Sequence, residues 1–380
     1  MKRQYFPLID LLRGFAALSV VVYHVVNHFN WTSFPIDGPL CWFRIGWMGV
    51  DLFFVISGFV IALTTMRTYD RSPNYPQFCK TFLTHRMARI VPLYYLTCFI
   101  FIIFIQPAFL FSDNFSHLLG THLLFIHNWF ITDQGAINGV NWSLGAEMQF
   151  YVLMMLVAPW LAKAPWWLIA MITITISWCW RAVVFHYATE NGAPDVYHEF
   201  VYSTQMPGML DEFGFGILTA RFVISEFGGK LMDNRLFSIA FLPIATLGAI
   251  LVTKSIFWQE ADYWQSAPMV ICFRTLLAIC CLLVILLMCS LGRSETLCRL
   301  LRPLTYIGTI SYGIYLWHLS VILSLHRLDW LTGQRCIWIV LAASIILAML
   351  SWHFFEKPIY QRFARKPAPD KPVNILQTMS

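Results

Sequence analysis

Charged residues are scarce in this sequence: Asp, Glu, Lys and Arg make up only 12% of it, against about 25% in an ordinary soluble domain. Hydrophobic residues make up 58%. This composition excludes a soluble globular core. Uncharged apolar stretches of about 20 residues recur instead, each long enough to cross a hydrocarbon layer about 30 Å thick as a helix. Because the stretches are unbroken rather than alternating, they predict membrane-spanning helices and not strands.

Two further features are missing. The ten cysteines lie mostly in apolar stretches without paired ligand spacing, so we expect neither a disulfide framework nor a bound metal. The first apolar stretch, Leu8 to Val26, has no small-residue cleavage site before His28, and it is predicted to be a retained helix rather than a signal peptide. The net charge of +6 reflects basic residues that mark membrane topology, so no nucleic acid partner is expected.

Hydropathy predicts an all-α integral membrane protein, a bundle of about ten transmembrane helices. Most Lys and Arg residues fall in alternate connecting segments, which the positive-inside rule assigns to the cytoplasm together with both termini. The expected spans are 8–28, 47–66, 88–106, 143–161, 165–186, 204–224, 236–254, 270–290, 304–325 and 336–355.

The segments outside these spans are short, with two exceptions. The outer loop 106–141 has no Lys or Arg, and its apolar patch, Leu118 to Phe130, is too short to cross, so it is predicted to be re-entrant or interfacial. The proline-rich end, 367–380, is predicted to be a disordered cytoplasmic tail. We find no internal repeat and expect no second soluble domain, so residues 1–366 are predicted to form one transmembrane domain.

A charge inside a membrane helix costs a few kcal/mol on insertion scales, so each one is a candidate functional residue. Arg13 and His24 are eleven residues apart in the first span, which puts them on one helix face with about 16 Å between them along the axis. An extended pantetheine arm has a comparable length. A cofactor with its phosphates at Arg13 could therefore present a thioester to His24; the alternative is a snorkelling arginine and a hydrogen-bonded structural histidine.

A second group of candidates lies on the third and fourth spans. Arg86 and Arg89 are three residues apart at the inner end of a helix, where planar guanidinium groups could bind phosphate or only anchor the topology. Ser143 and Glu147 are one helical turn apart. Glu147 is expected near the outer surface, where it could orient a histidine or an acceptor hydroxyl as part of a general base, unless the pair is only a helix cap.

The remaining candidates are polar residues predicted to face the bundle interior. Each of Asp211, Glu212, Arg274 and His318 could equally be an interhelical structural contact. Ser57, beside Gly58, could line an acyl-carrier channel or only allow close packing.

Six segments in order resemble the membrane-bound acyltransferase family 3, which includes bacterial O-antigen and exopolysaccharide O-acetylases. The resemblance covers about 9–362. It is carried by residues 9–14 (IDLLRG) with the spacing from Arg13 to His24, and by 49–59 (GVDLFFVISGF), 86–95 (RMARIVPLYY), 141–151 (NWSLGAEMQFY), 311–318 (SYGIYLWH) and 355–358 (FEKP).

The resemblance implies an acyl-CoA donor, most often acetyl-CoA, and transfer to a sugar, glycan or lipid-linked saccharide at the outer side of the membrane. It implies that Arg13 and His24 are essential and supported by Arg86, Arg89 and Glu147. His24 would either deprotonate the acceptor hydroxyl or carry the acyl group transiently. The predicted catalytic residues are His24, Glu147 and Arg13; the predicted donor-binding residues are Arg13, Arg86, Arg89 and Ser57; the predicted substrate-binding residues are Trp142, Ser143, Asp211 and His318.

Other functional classes stay open at this point. Intramembrane charges also mark solute pathways, so a polytopic transporter or flippase of a glycan or acyl group is the main alternative, although the matching broken helices of such proteins are not evident. A non-catalytic subunit of a polysaccharide assembly is a third possibility. The expected location is a bacterial inner membrane, with membrane lipid as a further partner.

Overall fold

The computed structural model describes residues 6–161, 163–190, 195–260, 262–327 and 333–364, and within these ranges the chain is helical without strands. The predicted all-α membrane bundle is confirmed. The predicted tail, 367–380, lies outside the described residues. The α-helices are α1 (Pro7–His28), α2 (Met48–Arg71), α3 (Tyr75–Ile100), α4 (Phe115–Leu123), α5 (Trp142–Leu161), α6 (Trp166–Glu190), α7 (Val196–Ser203), α8 (Leu210–Ile224), α9 (Glu226–Asp233), α10 (Leu242–Gln259), α11 (Arg274–Leu291), α12 (Glu295–Leu300), α13 (Arg302–Thr309), α14 (Ser311–His326), α15 (Gly333–Ser351) and α16 (Lys357–Ala364).

Within the described ranges, eight helical segments are long and apolar enough to cross a membrane, and α13 with α14, bent by 64°, makes a ninth. The expected span 204–224 is different. It begins with a 3-10 turn, Met206–Met209, and its helix α8 has only 15 residues, about 22 Å at 1.5 Å per residue. A helix this short is stable here because α8 packs against α2, α6 and α11, so protein rather than lipid surrounds it.

Helices α2 and α8 approach each other closely because each has a glycine at the contact. A Cβ atom on Gly58 would lie 2.2 Å from the carbonyl oxygen of Phe213, and one on Gly216 would lie 2.2 Å from that of Val55. Any larger residue would push the helices apart. The glycine beside Ser57 is thus explained by packing, and it brings the middle of α2 into the centre of the bundle.

The start of α1 and the α15–α16 junction both lie near Arg89 of α3, at one end of the bundle. Arg89 of α3 forms an ion pair of 3.6 Å with Glu356, which lies between α15 and α16. Arg89 also interacts electrostatically with Arg13, near the start of α1. Both ends of the described chain therefore lie at the same end of the bundle, as the predicted topology requires; which side of the membrane this end faces stays a prediction.

The loop 106–141 folds into short helical pieces that pack on the opposite end of the bundle. Within it the rings of His122 and His127 stack with 4.2 Å between centroids. The side chain of Asn138 donates a hydrogen bond of 3.0 Å to the carbonyl oxygen of Leu316. This contact attaches the loop to α14, two residues before His318.

Candidate active site

Two histidines from opposite ends of the sequence meet inside the bundle. His24 Nδ1 of α1 lies 2.9 Å from His318 Nε2 of α14, and His318 is fully buried. His318 Nδ1 lies 3.2 Å from the carbonyl oxygen of Ile314, one turn earlier. A carbonyl oxygen can only accept, so His318 Nδ1 carries the proton and His318 Nε2 accepts a hydrogen bond from His24 Nδ1–H. The Nε2 lone pair of His24 is then uncommitted to this pair.

Two more histidines, His28 and His326, lie beyond this pair, at the C-terminal ends of α1 and α14. The ring of His28, one turn beyond His24, has its centroid 6.1 Å from that of His24. The ring of His326 at the end of α14 lies 6.5 Å from that of His28. Sequence reasoning did not single out His28 or His326, although the spacing from His24 to His28 is the i to i+4 signal of a shared helix face.

Ser143 lies beside the histidine pair through an intervening tyrosine. Its Oγ is 2.8 Å from the hydroxyl oxygen of Tyr315, and the Tyr315 ring centroid is 6.0 Å from that of His318. Trp142, one residue earlier, instead packs edge-on against Phe54 and Phe200, at 6.1 and 5.3 Å. Of these two predicted substrate-binding residues, the structure therefore brings Ser143 towards the histidines and gives Trp142 a packing contact.

Glu147 lies one turn further along α5, and its hydrogen-bond partners are not histidines. Its Oε1 accepts from Ser57 Oγ at 2.7 Å and from the Tyr151 hydroxyl at 2.5 Å. The Arg86 guanidinium carbon lies 5.8 Å from the centre of the Tyr151 ring, and Arg86 also interacts electrostatically with Glu147. The structure thus groups the predicted residues Ser57 and Glu147 with the arginines. Glu147 was predicted to orient a histidine or the acceptor hydroxyl, and the histidine that contacts His24 is His318.

The three predicted donor-binding arginines form one cluster. Arg13 interacts electrostatically with Arg86 and Arg89, and Arg89 also lies 4.6 Å over the Trp352 ring. The Arg86 Nε and Arg89 Nη1 atoms are buried and have no hydrogen-bond partner among the described residues. Among the contacts given by the described residues, three guanidinium groups meet two carboxylates, Glu147 and Glu356, which leaves an excess of positive charge. Buried N–H groups without acceptors and a positive excess together fit an anion such as phosphate.

Asp211 belongs to a different, fully buried network. Its carboxylate pairs with Arg181 and accepts a hydrogen bond from Thr275. Arg181 also donates to the carbonyl oxygens of Gly208 at 2.7 Å and Ile271 at 2.8 Å. The neighbouring Glu212 lies 3.9 Å from Arg274, which also pairs with Asp51. The structure therefore places Asp211, predicted to bind substrate, at the junction of α6, α8 and α11.

A polar track thus runs through the bundle from the arginines to the histidines. It passes from the arginine cluster to Glu147, then by one turn of α5 to Ser143 and Tyr315, and ends at His24 and His318. One end of the track suits an anion and the other a proton transfer. Sequence reasoning missed Tyr151, Tyr315 and Glu356, although each lies in one of the six motif segments.

The chain also matches known proteins over most of its length. The family profile described as an acyltransferase domain matches residues 6–354. The chain is 29% identical to YrhL of Bacillus subtilis (strain 168) over 96% of its own length and 57% of that protein. It is 25% identical to the O-acetyltransferase OatA of Staphylococcus aureus (strain NCTC 8325 / PS 47) over 94% of its length and 58% of that protein.

A third relative is the peptidoglycan O-acetyltransferase OatA of Listeria monocytogenes serovar 1/2a (strain ATCC BAA-679 / EGD-e), with 26% identity over 94% of the chain and 56% of that protein. The chain therefore spans less than two thirds of the length of these relatives. No solved structure matches it significantly.

Proposed function

Because the chain belongs to the acyltransferase 3 family, we propose that it is an O-acetyltransferase that moves an acetyl group from cytoplasmic acetyl-CoA to a hydroxyl of a glycan at the outer side of a bacterial inner membrane. The observation that carries this proposal is the polar track, which joins an anion-binding arginine cluster to a histidine pair. The names of the S. aureus and L. monocytogenes relatives support O-acetyl transfer, and the latter supports peptidoglycan, or a similar polymer of N-acetylated sugars, as the acceptor.

The arginine end of the track would bind the donor. Phosphate oxygens of coenzyme A would accept hydrogen bonds from Arg86 Nε and Arg89 Nη1, two buried N–H groups without a hydrogen-bond partner among the described residues; Arg89 Nη1 also lies 3.6 Å from Glu356. Arg13 would add charge to the same site. From there to His24 the distance along α1 is about 16 Å, so the pantetheine arm could follow the track past Glu147 and Ser143.

The histidine end would carry out the transfer. In this proposal His24 Nε2 takes the proton of the acceptor hydroxyl while the hydroxyl oxygen attacks the carbonyl carbon of the thioester. The carbon–sulfur bond then breaks, and the proton passes to the coenzyme A sulfur. His318 Nε2 accepts the hydrogen bond from His24 Nδ1–H, which holds the His24 ring and stabilises the imidazolium that forms when His24 acts as the general base.

The test is turnover of radiolabelled acetyl-CoA by purified protein in detergent with a soluble N-acetylglucosamine oligosaccharide as acceptor. We expect His24→Ala to lower the transfer rate by about 10²–10⁴-fold, the range of a general base, and Arg13→Ala to raise the KM for acetyl-CoA. His186→Ala is the matched control, because His186 lies at an exposed ion pair with Glu190.

A folded His24→Ala protein with the wild-type transfer rate would overturn the proposal. Label that stays on the wild-type protein but not on His24→Ala after incubation with donor alone would show instead that His24 carries the acetyl group as a nucleophile. Donor binding without transfer in any variant would favour the transporter interpretation.

A further inference from the structure

A cleft of about 550 Å³ opens between the last turns of α6 and helix α7, apart from the polar track. Its volume lies within the range of about 300–1,000 Å³ that is usual for ligand sites. In the predicted topology this connection faces the outer side of the membrane. The side chains that give the cleft its chemistry are Trp180, Tyr187, Asp195, His198, Glu199 and Tyr202.

Glu199 is the feature of this cleft that packing does not explain. The residue is 1% exposed, and neither carboxylate oxygen has a hydrogen-bond partner among the described residues. Burial, together with the negative charge of Asp262, raises the pKa of Glu199 to about 7. An unpaired buried carboxyl group is destabilising. A ligand that supplies hydroxyl or amide groups would satisfy it.

The other lining residues identify the chemical class of that ligand. The cleft presents the aromatic side chains of Trp180, Tyr187 and Tyr202, and its described lining contains two acidic residues but no Lys or Arg. Without a Lys or Arg in its described lining, the cleft offers phosphate no permanent cation, so coenzyme A and anionic lipid headgroups are poor ligands. Aromatic rings beside carboxyl groups suit a neutral saccharide, whose C–H faces pack on rings and whose hydroxyl and amide groups donate hydrogen bonds to carboxyl oxygens.

The cleft is also in contact with the loop 106–141. The rings of Trp180 and Trp129 are 5.8 Å apart. The Tyr197 hydroxyl on α7 donates a hydrogen bond of 3.3 Å to the carbonyl oxygen of Ile131. Because the same loop is attached to α14 through Asn138, a polymer that lies in the cleft could continue across this loop towards His24.

We propose that the cleft between α6 and α7 is a binding subsite for the neutral N-acetylhexosamine backbone of the acceptor glycan, separate from the residues that transfer the acetyl group. This inference rests on the proposed function, because it assigns the outer cleft to the acceptor of that reaction. Tyr187 and Tyr202 would contact sugar rings, and Glu199 would accept hydrogen bonds from hydroxyl or acetamido groups.

The test is binding of N,N′,N″-triacetylchitotriose to the full-length purified protein without donor, measured by calorimetry or ligand-observed NMR. We expect Tyr187→Ala and Glu199→Gln each to weaken binding by about tenfold, which corresponds to about 1.4 kcal/mol. Two variants serve as matched controls. Trp166→Ala removes an aromatic residue that is 67% exposed at the other end of α6, and Glu190→Gln removes an exposed carboxylate at the end of α6; both should bind like wild type.

The outcomes separate this inference from the proposed function. His24→Ala should bind the trisaccharide like wild type while losing acetyl transfer. If the wild-type protein does not bind the trisaccharide, or if the cleft variants bind it as tightly as wild type does, the cleft is not an acceptor subsite, and acetyl transfer by the wild-type protein would still support the proposed function. Loss of binding in Trp166→Ala and Glu190→Gln as well would also contradict a site in this cleft.

Discussion

Replacement of Asp211 distinguishes a structural role from a role in substrate binding. Arg181 and Asp211 have completely buried side chains. Asp211→Ala would leave the Arg181 guanidinium with its two backbone acceptors but without a counter-charge. Removal of one partner from a buried ion pair typically costs about 3–5 kcal/mol, so we expect a loss of this size in the free energy of unfolding.

The assay is equilibrium unfolding in mixed detergent micelles, combined with a double-mutant cycle. The double variant Arg181→Met/Asp211→Leu removes both charges and should recover most of the lost stability, because an apolar pair of similar volume avoids the desolvation of two ions. Asp211→Asn should fall between wild type and Asp211→Ala. A stable Asp211→Asn protein with an increased KM for the acceptor would contradict a structural role and restore Asp211 as a substrate ligand.

Three other predictions concern the donor site, the α2–α8 contact and the cleft. Arg86→Lys and Arg89→Lys should each raise the KM for acetyl-CoA, because lysine lacks the planar fork that binds phosphate at two points. The control is Arg71→Lys, at the exposed end of α2, which should leave this KM unchanged in the same turnover assay. Gly58→Ala should lower the melting temperature, because the new Cβ atom would lie 2.2 Å from the Phe213 carbonyl oxygen. Gly248→Ala is the control: no atom lies within 4 Å of its Cβ position, so it should be neutral or stabilising. Equal melting temperatures for the two variants would contradict the predicted clash. The pKa of the Glu199 carboxyl is raised from 4.5 to about 7, so between these pH values the folded state retains a proton that the unfolded chain releases. The contribution of this group to stability is therefore present below pH 4.5 and is lost as the pH rises through about 7. Between these values the melting temperature of Glu199→Gln should fall less than that of wild type, and parallel curves would show that Glu199 is not buried as described.

Hydropathy and helical periodicity were sufficient for the features that lie within a single helix. The all-α class follows from apolar stretches of the right length. The relation between Arg13 and His24 depends only on α1, which is one unbroken helix. The span at 204–224 could not be predicted in detail, because whether α8 needs a full membrane-crossing length depends on the helices around it.

Contacts between distant helices were beyond sequence reasoning. His24 and His318 are 294 residues apart, and their hydrogen bond depends on how α1 and α14 pack. Glu147 was expected near the outer surface, where it could orient a histidine or the acceptor hydroxyl. One turn of α5 is enough to separate its surroundings from those of Ser143, so Ser143 faces Tyr315 while Glu147 faces Ser57. No role could be assigned to Glu356 from the sequence, because its ion pair with Arg89 depends on how α3 packs against the α15–α16 junction.

The proposal that acetyl passes across the membrane through one polar track is tested most directly in sealed proteoliposomes. Radiolabelled acetyl-CoA is supplied on the side of the arginine cluster only, and an N-acetylglucosamine oligosaccharide is enclosed on the other side only. We expect labelled oligosaccharide in the second compartment with wild-type protein, and its loss in His24→Ala and Arg13→Ala proteins that remain folded. Labelled oligosaccharide that forms only when donor and acceptor are on the same side would contradict the proposal.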